Sequence, residues 1–263
     1  MAAFIHYLHN LLARWLQPHR QLLCRIDAQG CTHCGGTLFE TRSVIDDALA
    51  ATWELDSQAR QWFDEREGHF CQRCRMSKRV RMLLWSLRRV CPDLRTCYVL
   101  HLNQINELTG ALAEAALLVE TVHRTDLEPG ATVGQFQNED LCHLTFPDHQ
   151  FDVVIHSETL EHVLDYENAL MEATRVLKPG GVQLYTVPLL NNRRTRQRTA
   201  KDSSGAIVNL LPPSAHGGNG EYPVVWEFGR DFLVRRRPWI YRIQYDDFHK
   251  NPTVFTIIER RRR

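Results

Sequence analysis

Hydrophobic positions in the second half of the chain follow two alternating periods. Apolar and β-branched runs of strand length occupy 97–102, 117–122, 132–136, 151–156 and 182–187. Stretches with apolar residues at helical spacing lie among them, at 106–116 and 166–177. Because helices between parallel strands cover both faces of a sheet, this alternation predicts a doubly wound α/β fold with right-handed crossovers.

The other segments carry different patterns. Helices are predicted at 57–67, 76–90 and 226–236, and two closing strands at 240–245 and 254–259. The polar stretch 191–220 is rich in Arg, Ser, Pro and Gly. It predicts a long loop of the kind that often carries function or stays without regular structure.

The N-terminal segment has its own apolar stripe. Residues 1–26 place apolar side chains at helical spacing, which predicts an amphipathic helix interrupted at Pro18. Such a face can lie on a membrane surface, but packing on protein is the simpler explanation. We therefore expect an amphipathic helix over 1–26, a zinc-binding module over 27–92 and an α/β domain over 93–263.

The composition argues against a dedicated nucleic-acid binder and against a membrane-spanning protein. The 263 residues carry a formal net charge of +1, whereas a dedicated nucleic-acid binder normally has a broad basic excess. No apolar run approaches the roughly 20 residues that span a bilayer, and the N-terminus lacks the pattern of a signal peptide. A cytoplasmic protein without a membrane span is therefore expected, with nucleic acid a weak candidate partner.

Four of the eight cysteines stand in two Cys-x-x-Cys pairs, Cys31 with Cys34 and Cys71 with Cys74. Two residues between thiolates let both sulfurs face one ion, and two such turns complete a tetrahedral shell around Zn²⁺. Because four cysteines leave no position open for water, the zinc is predicted to be structural rather than catalytic.

The neighbouring histidines and cysteines leave alternatives open. His33 or His69 could replace a cysteine as a ligand, and unrelated buried thiols are the competing interpretation. Four cysteines outside the pairs lie in apolar surroundings and are predicted to be buried thiols: Cys24, Cys91, Cys97 and Cys142.

The segment between Gln137 and Pro188 carries the most specific motif. It reads DLCHLTFPDHQFDVVIHSETLEHV from Asp140, and its helix leads into RVLKPGG at 175–181. An acid, an apolar run, a Glu-His pair, a helix and a Pro-Gly-Gly turn follow in that order. This order resembles class I S-adenosylmethionine-dependent methyltransferases, most closely the ubiquinone- and menaquinone-biosynthesis type. The resemblance implies a Rossmann-like sheet that binds S-adenosylmethionine.

The resemblance also implies cofactor contacts. Glu120, after the second strand, would take the ribose hydroxyls, and Asp140 would accept from the adenine amino group beside the backbone of Leu141. The family's glycine-rich turn is absent, so Asn103 is predicted to adopt the left-handed conformation of the missing glycine. His156, at the end of the fourth strand, would face the sulfonium. The alternatives are ordinary solvated carboxylates and a domain that has lost the cofactor.

Acids and imidazoles follow the fourth strand. The spacing of Glu158, Glu161 and His162 resembles ubiquinone-pathway O-methyltransferases, whose equivalent residues hold a divalent cation, and this implies Mg²⁺. Alternatively, Ser157 caps a helix whose first-turn acids favour the positive end of its dipole. A hydroxyl acceptor must lose its proton, and His156 or His162 is the candidate general base.

The stretch 191–220 follows the fifth strand, where the family places substrate-recognition elements. Arg196 could receive a phosphate or carboxylate of the acceptor. His216 could serve as a base delivered by a closing loop. A flexible solvated loop is the alternative.

We therefore expect a methyltransferase that acts on a small-molecule or carbohydrate-like acceptor, at oxygen. One alternative is an RNA or protein methyltransferase that uses the zinc module for recognition. The other is a catalytically inactive methyltransferase fold that serves as a binding or scaffold protein. The motifs do not identify the acceptor, because loop shape determines it.

Overall fold

The computed structural model describes residues 30–190, 193–216, 222–229, 231–232, 240–246 and 254–261. The amphipathic helix predicted over 1–26 lies outside the described residues. Among the helices of the described ranges, none has the length and apolar character needed to cross a bilayer.

The cysteine-containing segment consists of short elements with side-chain caps. Its elements are β1 (Phe39–Thr41), α1 (Asp47–Thr52), α2 (Ser57–Glu67), β2 (His69–Cys71) and α3 (Lys78–Val90). The helices begin after Asp46, Asp56 and Ser77, and each of these side chains accepts a hydrogen bond from a backbone N–H of the first turn. Strands β1 and β2 pair antiparallel.

The central part of the chain alternates strands and helices. Its elements are β3 (Tyr98–His101), α4 (Asn106–Leu112), β4 (Leu117–Val122), β5 (Thr132–Val133), β6 (Phe136–Asn138), β7 (Phe151–Ser157), α5 (Tyr166–Arg175) and β8 (Leu177–Thr186). Two 3-10 turns, Leu94–Thr96 and Leu160–His162, precede β3 and α5.

The remainder is strand and loop. It contains β9 (Leu189–Leu190), β10 (Arg196–Gln197), β11 (Thr199–Lys201), β12 (Ile207–Asn209), β13 (Ala215–His216), β14 (Tyr222–Pro223), β15 (Trp226–Gly229), β16 (Ile240–Asp246) and β17 (Val254–Arg260).

One eight-stranded sheet organises the molecule, in the order β16-β17-β8-β7-β3-β4-β6-β5. Strands β6, β4, β3, β7 and β8 run parallel, and β17 joins β8 antiparallel. The chain order reverses between β3 and β7, which makes this edge the topological switch point where open α/β sheets bind ligands. The predicted doubly wound, Rossmann-like fold is confirmed.

Both faces of the sheet are covered by helices. Strand β7 alternates its side chains, so that Val154 packs with α5 on one face and Val153 packs with α3 and α4 on the other. The inward stripe of α3 consists of Val80, Leu83, Leu84 and Leu87. This helix therefore belongs to the core of the sheet, although the sequence assigned it to the zinc module. One arginine of this helix, Arg81, is also buried.

Three expectations are wrong. The predicted helix at 226–236 begins as the strand Trp226–Gly229, because this segment pairs with both β9 and β10. The predicted loop 191–220 contains short antiparallel strands instead of irregular chain. Cys91 and Cys97 form a disulfide rather than two buried thiols.

Candidate active site and cysteine site

A cleft of about 1350 Å³ opens at the carboxyl ends of the parallel strands. The ends of β3, β4, β6 and β7 and the turns that follow them contribute part of its lining, with Asn103, Thr121, Asp140 and Ser157 among them. Residues of the cysteine-containing segment and of strand β13 also line it. The cleft therefore has a strand-end wall and a second wall supplied by segments outside the central sheet.

The turn after β3 adopts the predicted geometry without glycine. Asn103 has φ of 53°, in the left-handed region that favours glycine and that Asn tolerates better than most residues. Its backbone N–H donates to Thr121 Oγ1 at 3.2 Å, and its side-chain amide lies 3.4 Å from Thr159 Oγ1. Asn103 thus adopts the backbone conformation expected of the missing glycine. Its hydrogen bonds link the end of β3 to β4 and to the turn after β7.

We expect Asn103→Gly to keep this turn and Asn103→Val to disturb it. A β-branched residue at positive φ costs about 1–2 kcal/mol, whereas glycine adopts the conformation freely. Thermal unfolding should show a lower midpoint for the valine variant alone. Equal midpoints for the two variants would contradict the role given to this residue.

Of the two acids predicted to contact the cofactor, only Asp140 lines the cleft. Asp140 Oδ1 accepts from the backbone N–H of Cys142 at 2.8 Å, and Leu141 and Cys142 line the cleft beside it. Glu120 is absent from the lining. Its Oε1 instead accepts from His101 Nδ1 at 2.9 Å and from Thr109 Oγ1 at 2.7 Å. The structure thus gives Glu120 internal partners in place of an exposed ribose-binding position.

His156 also lies away from the cleft. Its side chain is fully buried within the sheet, stacks on Tyr185 at a ring-centroid distance of 4.8 Å, and has Nε2 2.9 Å from Gln183 Nε2. The structure therefore does not bring this imidazole to the cleft. Strand alternation explains the difference, because His156 and Ser157 point to opposite sides.

The predicted acids and imidazoles after β7 divide into two groups. Glu158 lies 3.7 Å from Arg66 Nη2, and burial together with Glu67 raises its pKa. Glu161 and His162 lie instead with His216, and the ligand atoms of these three residues are all within 4.8 Å of one another. Strand β13 therefore brings His216 to the predicted motif.

Burial shifts the pKa values of Glu161, His162 and His216. It raises the pKa of Glu161 well above its ordinary value, an effect strengthened by Glu158. Burial lowers the pKa of His162, and burial with His162 nearby lowers the pKa of His216 to about 4. Both imidazoles are consequently neutral at physiological pH and keep a lone pair for a proton or a metal.

The implied Mg²⁺ does not fit this donor set. Mg²⁺ binds oxygen ligands in near-octahedral geometry, whereas the three grouped residues offer two imidazole nitrogens and one carboxylate. Glu158, which would add an oxygen, is directed to Arg66 instead. The predicted trio of Glu158, Glu161 and His162 is therefore not assembled as one ligand set.

Several cleft residues were not anticipated from the sequence. Helices α1 to α3 and their connections supply Trp53, Phe63, Arg66, Glu67 and Arg79 to the lining. Arg66 is buried, with its guanidinium over the rings of Trp62 and Phe63 at 4.9 and 4.8 Å. No local pattern signals these residues, because their role depends on how the N-terminal part packs on the sheet.

Arg196, in contrast, has a partner within the protein. Its Nε donates to Glu227 Oε2 at 2.5 Å, and Glu227 is buried. Arg193 and Arg198 bind the same carboxylate. Arg196 therefore neutralises a buried acid, and it is not among the residues that line the cleft.

The four paired cysteines converge at a second site. Cys31 Sγ lies 3.7 Å from Cys74 Sγ, and Cys34 Sγ lies 3.6 Å from Cys71 Sγ. Zinc–sulfur bonds of about 2.3 Å in a tetrahedron place the sulfurs roughly 3.8 Å apart. The sulfur positions therefore fit one tetrahedral Zn²⁺.

The two cysteine turns have matching backbones. Cys31 O accepts from Gly35 N at 2.8 Å, and Cys71 O accepts from Arg75 N at 2.8 Å. Gly35 and Arg75 both have positive φ, 71° and 64°. Burial opposes the thiolate of Cys71, but backbone N–H groups directed at its sulfur lower its pKa to about 7. Such a sulfur loses its proton to a metal readily.

Gly36 has no side chain, and this leaves room for the sulfurs of Cys34 and Cys71. A Cβ on this residue would lie 3.2 Å from Cys71 Sγ and 3.4 Å from Cys34 Sγ. His33 and His69 are not members of the ligand group among the described residues.

A family of known proteins matches the part of the chain that forms the parallel strands. Residues 101–185 match the family described as a methyltransferase domain. This segment runs from the end of β3 through β8, and it includes the turn at Asn103 and the acid Asp140. The match therefore covers the centre of the chain, where the parallel strands of the Rossmann-like sheet lie.

Curated relatives cover the same region. The chain is 32% identical over 111 residues to a ubiquinone biosynthesis O-methyltransferase of Alkalilimnicola ehrlichii, covering 42% of this chain and 43% of the relative. It is 36% identical over 107 residues to the protein of that description from Pseudomonas syringae pv. tomato, covering 40% and 44%. The chain thus matches less than half the length of these relatives.

Among solved structures, a Burkholderia thailandensis 1,6-didemethyltoxoflavin-N1-methyltransferase is 15% identical, with a TM-score of 0.47. The match covers 82% of this chain and 86% of that one.

Proposed function

We propose that this protein is an S-adenosylmethionine-dependent methyltransferase that acts on a small-molecule acceptor, at oxygen. The observation that carries the proposal is the cleft at the carboxyl ends of the parallel strands, with Asn103 and Asp140 in its lining. Open α/β sheets bind nucleotides at this edge. The relatives that match this region are O-methyltransferases by description.

The strand-end wall fits the cofactor. The left-handed turn at Asn103 exposes backbone where the methionine end would lie, and Asp140 offers a carboxylate to the adenine amino group. The backbone of Leu141 would lie beside the ring. When bound, S-adenosylmethionine supplies an electrophilic methyl group, and the protein contributes alignment of the acceptor with it.

The second wall fits the acceptor. Trp53 and Phe63 contribute aromatic side chains to the lining. Arg66 and Arg79 also line the cleft, where their guanidinium groups pair with Glu67. Glu158 lies in the same lining, and its raised pKa makes it a better proton acceptor than an ordinary carboxylate. We infer that Glu158 takes the proton of an acceptor hydroxyl as the methyl group is transferred. Mg²⁺ has no part in this proposal.

A structural Zn²⁺ at the four cysteines completes the proposal. The ion would hold the two cysteine turns together and so fix the segment from which α1 and α2 reach the cleft. On this view the N-terminal module is a wall of the acceptor site. Such a role favours the small-molecule enzyme over an enzyme that uses the module to recognise RNA.

Calorimetric titration with S-adenosylhomocysteine tests the cofactor assignment. We expect Asp140→Ala to weaken binding by roughly ten- to a hundredfold, because hydrogen bonds to charged groups contribute about 1.5–3 kcal/mol. Asp148→Ala serves as a matched control, since its carboxylate is exposed and pairs with Arg175, and neither residue lines the cleft. Unchanged affinity in the Asp140 variant would remove this residue from the site. Absence of binding to the wild-type protein would favour a scaffold.

A further inference from the structure

We propose that Glu161, His162 and His216 together bind one divalent first-row transition metal at the acceptor side of the cleft. The ligands come from distant parts of the chain, because His216 lies on β13 and the other two lie in the turn after β7. The donor set is two imidazoles and one carboxylate, which suits iron, manganese, cobalt or zinc and differs from the oxygen set that Mg²⁺ prefers.

The first observation is an acid without partners. Glu161 is fully buried, and neither carboxylate oxygen has a hydrogen-bond partner beyond its own backbone amide in the described part of the chain. Buried polar atoms in native structures are nearly always satisfied, and a bound ion is one of the explanations for an exception. The ion would coordinate one carboxylate oxygen of Glu161, and its positive charge would neutralise the negative charge that the two oxygens share.

The second observation concerns the free nitrogens of the imidazoles. His162 Nδ1 lies 2.8 Å from the carbonyl oxygen of Pro223, so Nδ1 carries the proton and donates it. This leaves the lone pair on Nε2, which lies 3.6 Å from Glu161 Oε1. A metal-ligating histidine typically donates its other N–H to a carbonyl or carboxylate in this way.

His216 presents the same combination of burial and an unused nitrogen. Its Nε2 is buried and has no hydrogen-bond partner among the residues that the structure describes. Its ring packs edge-on against Trp53 at 5.3 Å between centroids, and lies 4.9 Å from the ring of His162. Trp53 Nε1 in turn donates to Ser214 Oγ at 2.8 Å, which fixes the start of the strand that carries His216.

The spacing matches one ion. Metal bonds of about 2.1 Å place neighbouring ligand atoms roughly 3 to 3.5 Å apart. The separation of 3.6 Å between His162 Nε2 and Glu161 Oε1 meets this requirement nearly as it stands. All three ligand atoms lie within 4.8 Å of one another, so a small rotation of the imidazoles would complete the site.

Three protein ligands leave coordination positions open, and His162 and His216 both line the cleft. An acceptor oxygen or a water molecule could therefore reach the ion. The inference does not require methyl transfer, because binding of the metal depends only on the three side chains.

Cobalt titration of protein that retains its four-cysteine zinc tests the proposal. Visible absorption should report one additional Co²⁺ per chain, without the thiolate charge-transfer band that would signal exchange at the cysteines. We expect His216→Ala to weaken Co²⁺ binding by roughly tenfold or more, because even changes to residues around metal ligands have that effect. His143→Ala is the matched control, since this histidine lines the cleft outside the cluster.

Glu161→Gln provides a second variant, because it keeps the size of the side chain while removing its charge. It should also weaken Co²⁺ binding by roughly tenfold or more and leave affinity for S-adenosylhomocysteine unchanged. The inference would be overturned if the wild-type protein had no saturable cobalt site, or if both variants bound Co²⁺ as tightly as the wild type. Displacement of Co²⁺ by equimolar Mg²⁺ would overturn the transition-metal assignment. In each of these outcomes, retained S-adenosylhomocysteine binding would leave the proposed methyltransferase function intact.

Discussion

Cys71→Ser should remove about one zinc per chain and sharply lower the thermal stability of the N-terminal module. Cys71 is fully buried and ends the short strand β2, whose only partner among the described strands is β1. A two-stranded ribbon is marginal by itself. In zinc-finger peptides the binding free energy of the ion, about 10–16 kcal/mol, serves as folding free energy. Zinc analysis and thermal unfolding by circular dichroism measure the two effects.

Cys142→Ser is the matched control, because this thiol lies outside the four-cysteine group. It should retain the zinc and melt near the wild-type temperature. Retention of zinc and an unchanged melting curve in the Cys71 variant would contradict the structural role of the ion. Affinity for S-adenosylhomocysteine should change little on zinc loss, because the strand-end wall, which we propose binds the cofactor, comes from the central sheet.

The strands and helices with strong local signals were predictable from sequence. Helix Ser57–Glu67 and strand Leu117–Val122 have the predicted bounds. Asp56 caps the helix through its side chain, so the start signal is local. The left-handed Asn103 was also predictable, because the turn after the first strand of this fold needs a residue that tolerates positive φ.

Contacts between residues far apart in the sequence explain the features that the sequence did not predict. The segment from Trp226 has an apolar pattern compatible with a helix, yet it lies between β9 and β10 and pairs with both. Glu120 stands at the expected end of β4, but its neighbour across the sheet is His101, which binds it. His216 reaches His162 only because the chain folds back over the cleft. Local periodicity contains no information about such contacts.

Glu227→Gln should destabilise the fold by about 3–5 kcal/mol, the cost of removing one partner from a buried ion pair. The Glu227 side chain is 1% exposed, and Arg198, with the same exposure, binds its Oε1. Arg193 and Arg196 bind Oε2 at 3.1 and 2.5 Å. Without the carboxylate, the guanidinium groups of Arg193, Arg196 and Arg198 would lie close together. Buried Arg198 would then have no opposite charge beside it.

Urea unfolding provides the free energy of unfolding for this comparison. Glu54→Gln is the matched control, because Glu54 also pairs with Arg193 and Arg196 but is 68% exposed. Exposed ion pairs contribute about 0–1 kcal/mol, so this variant should remain close to the wild type. Arg193 also donates to the carbonyl of Trp53 at 2.6 Å, which links the Glu227 cluster to the wall beside His216. Loss of stability should therefore be accompanied by weaker Co²⁺ binding, whereas equal stability of the two variants would show that the buried cluster is dispensable.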